Sequence, residues 1–271
     1  MLSFLNSREA KILEAAYDGD FNTISRLLPK ATAEVLQYET KKDEHKYIMP
    51  ALLVAALNGH TEIVKLLIQS NKVNINQQCS QAGCTALMWA CIKDKVDVVK
   101  VLLQAGANMD IQENNGYTAL VWACEQGKID VVKVLLQAGA NMDIQNNRGS
   151  TALMRACIND KVDVVKVLLQ AGANMDIQDK EGNTALMAAC KEDKVDVVKV
   201  LLQAGANMDI LNNDGNTALM AACIEDKVDV VKVLLQAGAN MDIQNNEGST
   251  ALMVACKEGK VDLVKVLLQA G

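Results

Sequence analysis

The hydrophobic positions of this chain recur with a period of 33 residues. The motif Thr-Ala-Leu begins six times at that spacing, at Thr85, Thr118, Thr151, Thr184, Thr217 and Thr250. The motif Leu-Leu-Gln-Ala-Gly follows each copy at a fixed distance and first occurs at Leu102. A fixed period between about 20 and 50 residues is typical of a repeat protein. The pattern therefore predicts a linear stack of units in which each unit contacts only its neighbours.

Within one period, residues 113–145, the pattern predicts two helices joined by a sharp corner. The segment from Ala119 to Glu125 is short and mostly apolar, and the hydroxyl of Thr118 can cap its first turn. Gly127 is suited to end this helix because glycine adopts the left-handed conformation readily. A second helix is predicted from about Ile129 to Ala138.

The second helix is apolar around most of its circumference. Its polar residues, Asp130, Lys133 and Gln137, are three and four positions apart, so they form one solvent-facing stripe. Helices this short are marginal on their own, so each pair must be packed between neighbouring pairs. The predicted fold class is all-α, a solenoid of stacked helix-turn-helix pairs with short β-turn or hairpin loops.

The same pattern divides the chain into three parts. Residues 1–48 are predicted as a degenerate N-terminal capping repeat with an irregular insertion at 29–48, in which the polar segment from Thr40 to Lys46 is expected to be exposed. Residues 49–84 are predicted as a repeat with a lengthened loop, and residues 85–271 as six regular repeats, the last one uncapped. Terminal repeats normally have a polar outer face. The apolar last repeat therefore predicts a longer parent chain or end-to-end self-association.

Composition limits the class of partner. Lys and Arg total 27 and Asp and Glu total 33, which gives a net charge of −6. A mildly acidic chain with dispersed lysines lacks the basic patch of a nucleic-acid binder, and its apolar runs are too short to span a bilayer. We therefore expect a protein partner, with no nucleic acid and no membrane insertion.

Six of the eight cysteines occupy one position of the repeat, beginning at Cys91. Neighbouring repeats should place these thiols about 10 Å apart, the spacing of packed helices, which is beyond the reach of a disulfide. The chain has no CxxC motif and only two histidines, so we expect no metal site. Free thiols indicate a reducing intracellular compartment, and we predict the cytoplasm. Cys79 and Cys84 lie in a predicted loop and are expected to be the exposed thiols.

These features resemble the ankyrin repeat, a unit of about 33 residues with a β-turn and two antiparallel helices. The segment Gly59-His60-Thr61-Glu62-Ile63-Val64-Lys65-Leu66-Leu67 is similar to the family pattern, and Thr-Ala-Leu-Met stands where the family has Thr-Pro-Leu-His. The corner glycine of the family is replaced at Asp94, Asp160, Asp193 and Asp226. Aspartate in a left-handed corner should cost about 1 kcal/mol relative to glycine.

The resemblance implies binding of a partner protein on a concave face made of turn tips and first helices, with no shared catalytic residues. The positions that match this face vary between otherwise copied repeats, which fits either selection for binding or drift at unconstrained positions. Trp, Tyr and Arg are frequent at binding hot spots. The candidate partner-binding residues are Tyr117, Trp122, Arg148, Arg155, Trp89, Asn115, Glu181 and Asp214.

Acidic residues accumulate toward the C-terminus, among them Asp214, Glu247 and Glu258. This pattern favours either attraction of a basic peptide segment or a merely solvated edge.

Motifs of the common enzyme classes, such as a phosphate-binding glycine loop or HExxH, are absent from the sequence. The leading hypothesis is a non-catalytic protein-interaction scaffold that needs no cofactor. The alternative is that the chain is the recognition or targeting domain of a longer enzyme, channel or secreted effector.

Overall fold

The computed structural model describes residues 7–37 and 49–271. Within these ranges the regular secondary structure is entirely helical, as the hydrophobic pattern predicts. The helices are α1 Ser7–Asp18, α2 Phe21–Leu27, α3 Ala33–Leu36, α4 Ala51–Asn58, α5 Thr61–Gln69, α6 Ala86–Ile92, α7 Val96–Gln104, α8 Ala119–Glu125, α9 Ile129–Gln137, α10 Ala152–Ile158, α11 Val162–Gln170, α12 Ala185–Lys191, α13 Val195–Gln203, α14 Ala218–Ile224, α15 Val228–Gln236, α16 Ala251–Lys257 and α17 Val261–Ala270. A 3₁₀ turn, Leu28–Lys30, follows α2. The polar segment from Thr40 to Lys46 lies outside the described residues.

The chain forms two compact units, one of Met1–Ala123 and Asp130–Asn141, the other of Cys124–Ile129 and Met142–Gly271. In the first unit α4 packs against α1 and α6, and α5 packs against α7. In the second unit α10, α12, α14 and α16 pack in succession, and so do α11, α13, α15 and α17. First helices of the repeats therefore contact first helices, and second helices contact second helices.

Local sequence sets the ends of the helices. In the repeat used above, α8 spans Ala119–Glu125 as predicted, and α9 ends at Gln137, one residue before the predicted end. The Thr118 hydroxyl accepts a hydrogen bond from the backbone N–H of Val121 at 3.3 Å. Such a cap stabilises a helix by about 1 kcal/mol.

The corners between paired helices are left-handed, as predicted. Gly127 has a φ of 71°. Asp94, Asp160, Asp193 and Asp226 have φ values of 57° to 58°. At the last of these corners the Asp226 carboxylate lies 3.4 Å from the Lys260 ammonium of the next repeat. This inter-repeat ion pair offsets part of the conformational cost of a non-glycine residue.

The core consists of Val, Leu, Ala, Met and Cys side chains. Cys91, Cys157 and Cys190 are completely buried, and burial raises the pKa of each thiol because a thiolate is poorly solvated there. Burial also raises the pKa of Cys223, to about 12. These thiols act as small apolar side chains.

The prediction that Cys79 and Cys84 are the exposed thiols is wrong. Both are 2% exposed, whereas Cys256 in α16 is the exposed cysteine. The reason is a tight turn, closed by hydrogen bonds from Cys79 N to Cys84 O at 2.9 Å and from Gly83 N to Cys79 O at 2.8 Å. A hydrogen bond with Cys79, together with burial, raises the pKa of Cys84.

Candidate functional site

In the second unit, backbone hydrogen bonds join the turn tips of consecutive repeats. The pairs are Lys180 N to Arg148 O, Asn213 N to Glu181 O and Asn246 N to Asp214 O, at 3.0 to 3.1 Å. We call this series of bonds the turn ladder. These bonds fix the tips relative to one another, so the variable side chains at the tips extend from a hydrogen-bonded backbone.

Side chains and glycines complete the turn ladder. The Asn213 side-chain amide donates to Lys180 O at 2.9 Å, and Asn246 repeats this bond to Asn213 O at 2.9 Å. Gly149 has a φ of 80°, and a Cβ there would lie only 2.6 Å from Lys180 N. The glycine is therefore required both by its left-handed backbone and by the close approach of the next tip.

A groove of about 440 Å³ lies between the turn tips and first helices of the repeats that contain α10 and α12. Its charged lining residues are Arg148, Arg155, Lys180, Lys191, Asp179, Glu181 and Glu192. Four of these are basic and three are acidic, so the lining has a net charge of +1. We call it the basic groove.

A second groove, of about 410 Å³, lies between the repeats that contain α14 and α16. Its charged lining residues are Asp214, Glu247, Lys257 and Glu258. Three acidic residues and one basic residue give the lining a net charge of −2. We call it the acidic groove.

Ion pairs neutralise some of these charges within the second unit. In the basic groove Arg155 Nε lies 3.0 Å from Glu125 Oε2, and the two side chains are 15% and 18% exposed. Lys191 Nζ lies 3.3 Å from Glu181 Oε2. In the acidic groove Lys257 Nζ lies 2.7 Å from Glu247 Oε2. With Glu125 included, the four basic and four acidic groups of the basic groove sum to zero, so its positive character lies in Arg148 and Lys180 at the turn tips.

The paired groups show the electrostatic effect of these contacts. The hydrogen bond and charge of Lys191 hold the pKa of the Glu181 carboxyl below its ordinary value of 4.5. The hydrogen bond and charge of Glu247 hold the pKa of Lys257 above its ordinary value of 10.5. Both pairs are therefore ionised near neutral pH.

The first unit contains an aromatic contact between Tyr117 and Trp122, whose ring centroids are 4.8 Å apart with an interplanar angle of 36°. The indole N–H groups of Trp89 and Trp122 are buried and have no hydrogen-bond partner among the described residues. Asn115 donates from its backbone and its side chain to the nearly buried carboxylate of Glu113, at 2.9 and 3.3 Å.

The predicted partner-binding residues thus fall into three places. Arg148, Arg155 and Glu181 line the basic groove, and Asp214 lines the acidic groove. The others, Tyr117, Trp122, Trp89 and Asn115, lie in the first unit. Within the basic groove, Glu125 neutralises the charge of Arg155.

The candidate partner-binding residues did not include three lysines that line the grooves, Lys180, Lys191 and Lys257. A signal was present, because Lys191 and Lys257 occupy the same repeat position 66 residues apart, and so do Glu181 and Glu247. Comparing repeats two periods apart would have shown that both grooves use the same positions.

In the part of the chain that the structure describes, no group of three or more His, Cys, Asp or Glu side chains is arranged to hold a metal ion. Among residues 7–37 and 49–271, no helix has the length and apolar character needed to cross a bilayer.

Stacked helix pairs of constant length, with a variable turn and first-helix face, define an all-α repeat protein. The family model described as ankyrin repeats (3 copies) matches overlapping segments at residues 12–113, 52–146, 97–179, 136–212, 153–245 and 205–271. The chain belongs to the ankyrin repeat family. Ankyrin repeats imply a protein-interaction domain, and their fold is typically non-enzymatic.

Among solved structures, the chain is similar to the ankyrin repeat domain of Bcl-3, described as a unique member of the IkappaB protein family. The TM-score is 0.74 at 28% sequence identity, and the match covers 80% of this chain and 97% of that domain. This similarity supports the same stacked helical architecture.

Among curated proteins, the chain is 36% identical to zinc finger CCCH domain-containing protein 24 of Oryza sativa subsp. japonica over 40% of this chain and 15% of that protein. It is 38% identical to mouse ankyrin repeat and SAM domain-containing protein 6 over 24% of this chain and 7% of that protein. It is 37% identical to palmitoyltransferase akr1 of Schizosaccharomyces pombe over 23% of this chain and 10% of that protein. The chain therefore spans only a small part of each of these relatives.

Proposed function

We propose that this chain binds a segment of a partner protein along its turn tips and first helices and carries out no catalysis itself. The observation that carries the proposal is the basic groove, which brings Arg148, Arg155 and Glu181 together at positions that differ between otherwise copied repeats. The turn ladder fixes these positions, so a partner meets a surface that needs little ordering on binding.

The opposite side of the repeats provides the contrast. Second helices carry the same polar stripe in repeat after repeat, with exposed Lys-Asp pairs such as Lys166 with Asp163 at 3.4 Å. A solvent-exposed stripe that is the same in these repeats offers little to distinguish one partner from another. The face with variable side chains is the better candidate for specific recognition.

A direct test is amine-reactive cross-linking of the full chain to a partner captured from its native cells. We expect cross-links mainly at lysines of the turn and first-helix face, Lys180, Lys191 and Lys257, and few at lysines of the second-helix stripe, Lys166, Lys199 and Lys232. Cross-links concentrated on the second-helix stripe would contradict the proposed face.

Substitutions give a second test. Arg148→Asp and Tyr117→Ala, made separately because the residues lie in different units, should each weaken partner binding without loss of helix content by circular dichroism. Lys166→Asp is the matched control on the opposite side. Equal affinity of all three variants and the wild type would remove Arg148 and Tyr117 from the binding site.

A second candidate function is recognition or targeting within a longer protein. It is supported by the relatives, which are much longer than the matched segment and include a palmitoyltransferase. Testing whether this chain alone, fused to a reporter, binds the same partner as its native parent would separate recognition by the repeats from recognition by other regions.

Eight free cysteines, seven of them buried, fit a reducing compartment, and we propose the cytoplasm. End-to-end self-association through the last repeat also remains a prediction. Met253 and Leu268 of that repeat are 53% and 63% exposed, and sedimentation measured across a concentration series would test it.

A further inference from the structure

The basic and acidic grooves occupy the same positions of the fold, two repeats apart. Arg148 corresponds to Asp214 at a spacing of 66 residues, and Lys180 corresponds to Asn246. The paired Glu181 and Lys191 of the first groove correspond to the paired Glu247 and Lys257 of the second. Both grooves contain this ion pair, so the difference in charge between them comes from the residues around it.

Those surrounding residues are available to a partner. Arg148 and Lys180 are exposed and form no ion pair with any described residue, and the same is true of Asp214 and Glu258 in the acidic groove. Glu192 lines the basic groove at the position that Glu258 occupies in the acidic groove, so this carboxylate is common to both. The grooves therefore differ at the turn tips, where one presents the cations Arg148 and Lys180 and the other presents Asp214 and Asn246.

We propose that the two grooves together bind one extended partner segment that carries an acidic side chain for the basic groove and a basic side chain for the acidic groove. The inference rests on the proposed function and specifies the chemistry of the partner. Charge complementarity selects this occupant, because a segment of one sign would be attracted by the turn tips of one groove and repelled by the turn tip of the other.

The turn ladder sets the spacing of the two charges. The consecutive bonds run from Lys180 N to Arg148 O, from Asn213 N to Glu181 O and from Asn246 N to Asp214 O, and they hold the tips of the second unit in register. Packed helices lie about 10 Å apart, so grooves two repeats apart are separated by about 20 Å. An extended chain rises about 3.3 Å per residue, which places the acidic and basic residues of the partner about six positions apart.

The experiment is selection of a phage-displayed library of random 12-residue peptides on the immobilised full chain. The same library is selected on Arg148→Asp, on Asp214→Arg and on the double swap that carries both substitutions. Enriched peptides are then synthesised and their Kd values are measured by fluorescence polarisation at low and high salt. Lys166→Asp on the second-helix stripe is the matched control.

We expect wild-type selection to enrich peptides with an acidic and a basic residue about six positions apart, as extended geometry requires. Each single swap should weaken their binding at least tenfold, whereas Lys166→Asp should leave it unchanged. The double swap should regain affinity for a peptide in which the acidic and basic residues are exchanged. Arg148→Gln, which removes the charge without reversing it, should show a smaller loss in the same direction.

Two results would overturn the inference in distinguishable ways. Enriched peptides that bind this face without an acidic and a basic residue, or that bind all variants equally, contradict a partner segment carrying both charges. They do not contradict the proposed function. Absence of any enriched peptide for the wild type, with circular dichroism showing folded protein, contradicts the proposed function and this inference together.

Discussion

The repeats of α12 and α16 have nearly the same sequence but occupy different environments. In both, a lysine at the end of the first helix pairs with a glutamate at the turn tip. The α12 repeat is packed on both sides, by α10 and α14, and it forms the floor of the basic groove. In the α16 repeat the equivalent positions are more exposed, and the groove beside it is acidic. The repeat therefore fixes the positions of the side chains, whereas packing and a few substitutions decide what those side chains do.

The largest contrast should be in thiol reactivity. Cys190 in α12 is completely buried, whereas Cys256 at the equivalent position of α16 is exposed. Burial is the larger cause of the raised pKa of Cys190, and the charge of Cys157 is the smaller one. We expect iodoacetamide to label Cys256 about a thousandfold faster, because a buried thiol reacts only after local opening. Peptide mass spectrometry over a labelling time course measures both rates. Rates within tenfold of each other would show that α12 is not packed as described.

Truncation of the equivalent methionine should destabilise the protein more in the α12 repeat than in the α16 repeat. Met187 in α12 is 1% exposed and Met253 in α16 is 53% exposed. Met187→Ala should lower the free energy of unfolding by about 2–4 kcal/mol through lost burial and a cavity, and Met253→Ala by less than about 0.5 kcal/mol. Urea denaturation followed by circular dichroism measures both values. Equal losses would mean that Met253 is covered in solution, which would support self-association.

Disruption of the turn ladder should lower the free energy of unfolding by the same amount beside either groove. A Cβ at Gly149 would lie 2.6 Å from Lys180 N, and a Cβ at Gly215 would lie 2.6 Å from Asn246 N, but a Cβ at Gly248 would meet nothing within 4 Å. Alanine at either of the first two positions should cost about 2–3 kcal/mol. Alanine at Gly248, where φ is 73°, should cost only about 1 kcal/mol. Urea denaturation applies again, and a Gly248→Ala cost as large as the others would show that backbone strain alone is responsible.

The smallest expected effect on stability comes from the ion pair that both grooves contain. Lys191 lowers the pKa of Glu181, so this pair stabilises the fold above the ordinary carboxyl pKa of 4.5, and the stabilisation is lost as pH falls through the lowered value. Lys257 has a raised pKa, so the other pair contributes below pH 10.5 and is lost as pH rises through the raised value. Both pairs are exposed, so each effect on stability is small.

Carbon-detected NMR titration of the Glu181 carboxyl tests this prediction. The pKa should rise toward its ordinary value in Lys191→Met, because the hydrogen bond and the nearby charge are both lost. Lys166→Met serves as the control. An unchanged Glu181 pKa in Lys191→Met would show that the pair does not persist in solution.

Much of the fold could be predicted from local sequence. The threonine cap, the limits of α8 and the left-handed corner at Gly127 depend on residues within a few positions of one another. The burial of Cys79 and Cys84 could not be predicted in this way, because it depends on how their loop closes. The pairing of Arg155 with Glu125, 30 residues earlier, likewise depends on the stacking of repeats.

The sequence by itself determined the repeat, the helices and the family, because a period of 33 residues and its hydrophobic positions recur in six consecutive units. Only the tertiary structure decided which charges are paired, which thiols are buried and which variable residues share a groove. The physical reason is that helix caps and apolar stripes act over one or two turns, whereas ion pairs and grooves form between side chains brought together by stacking.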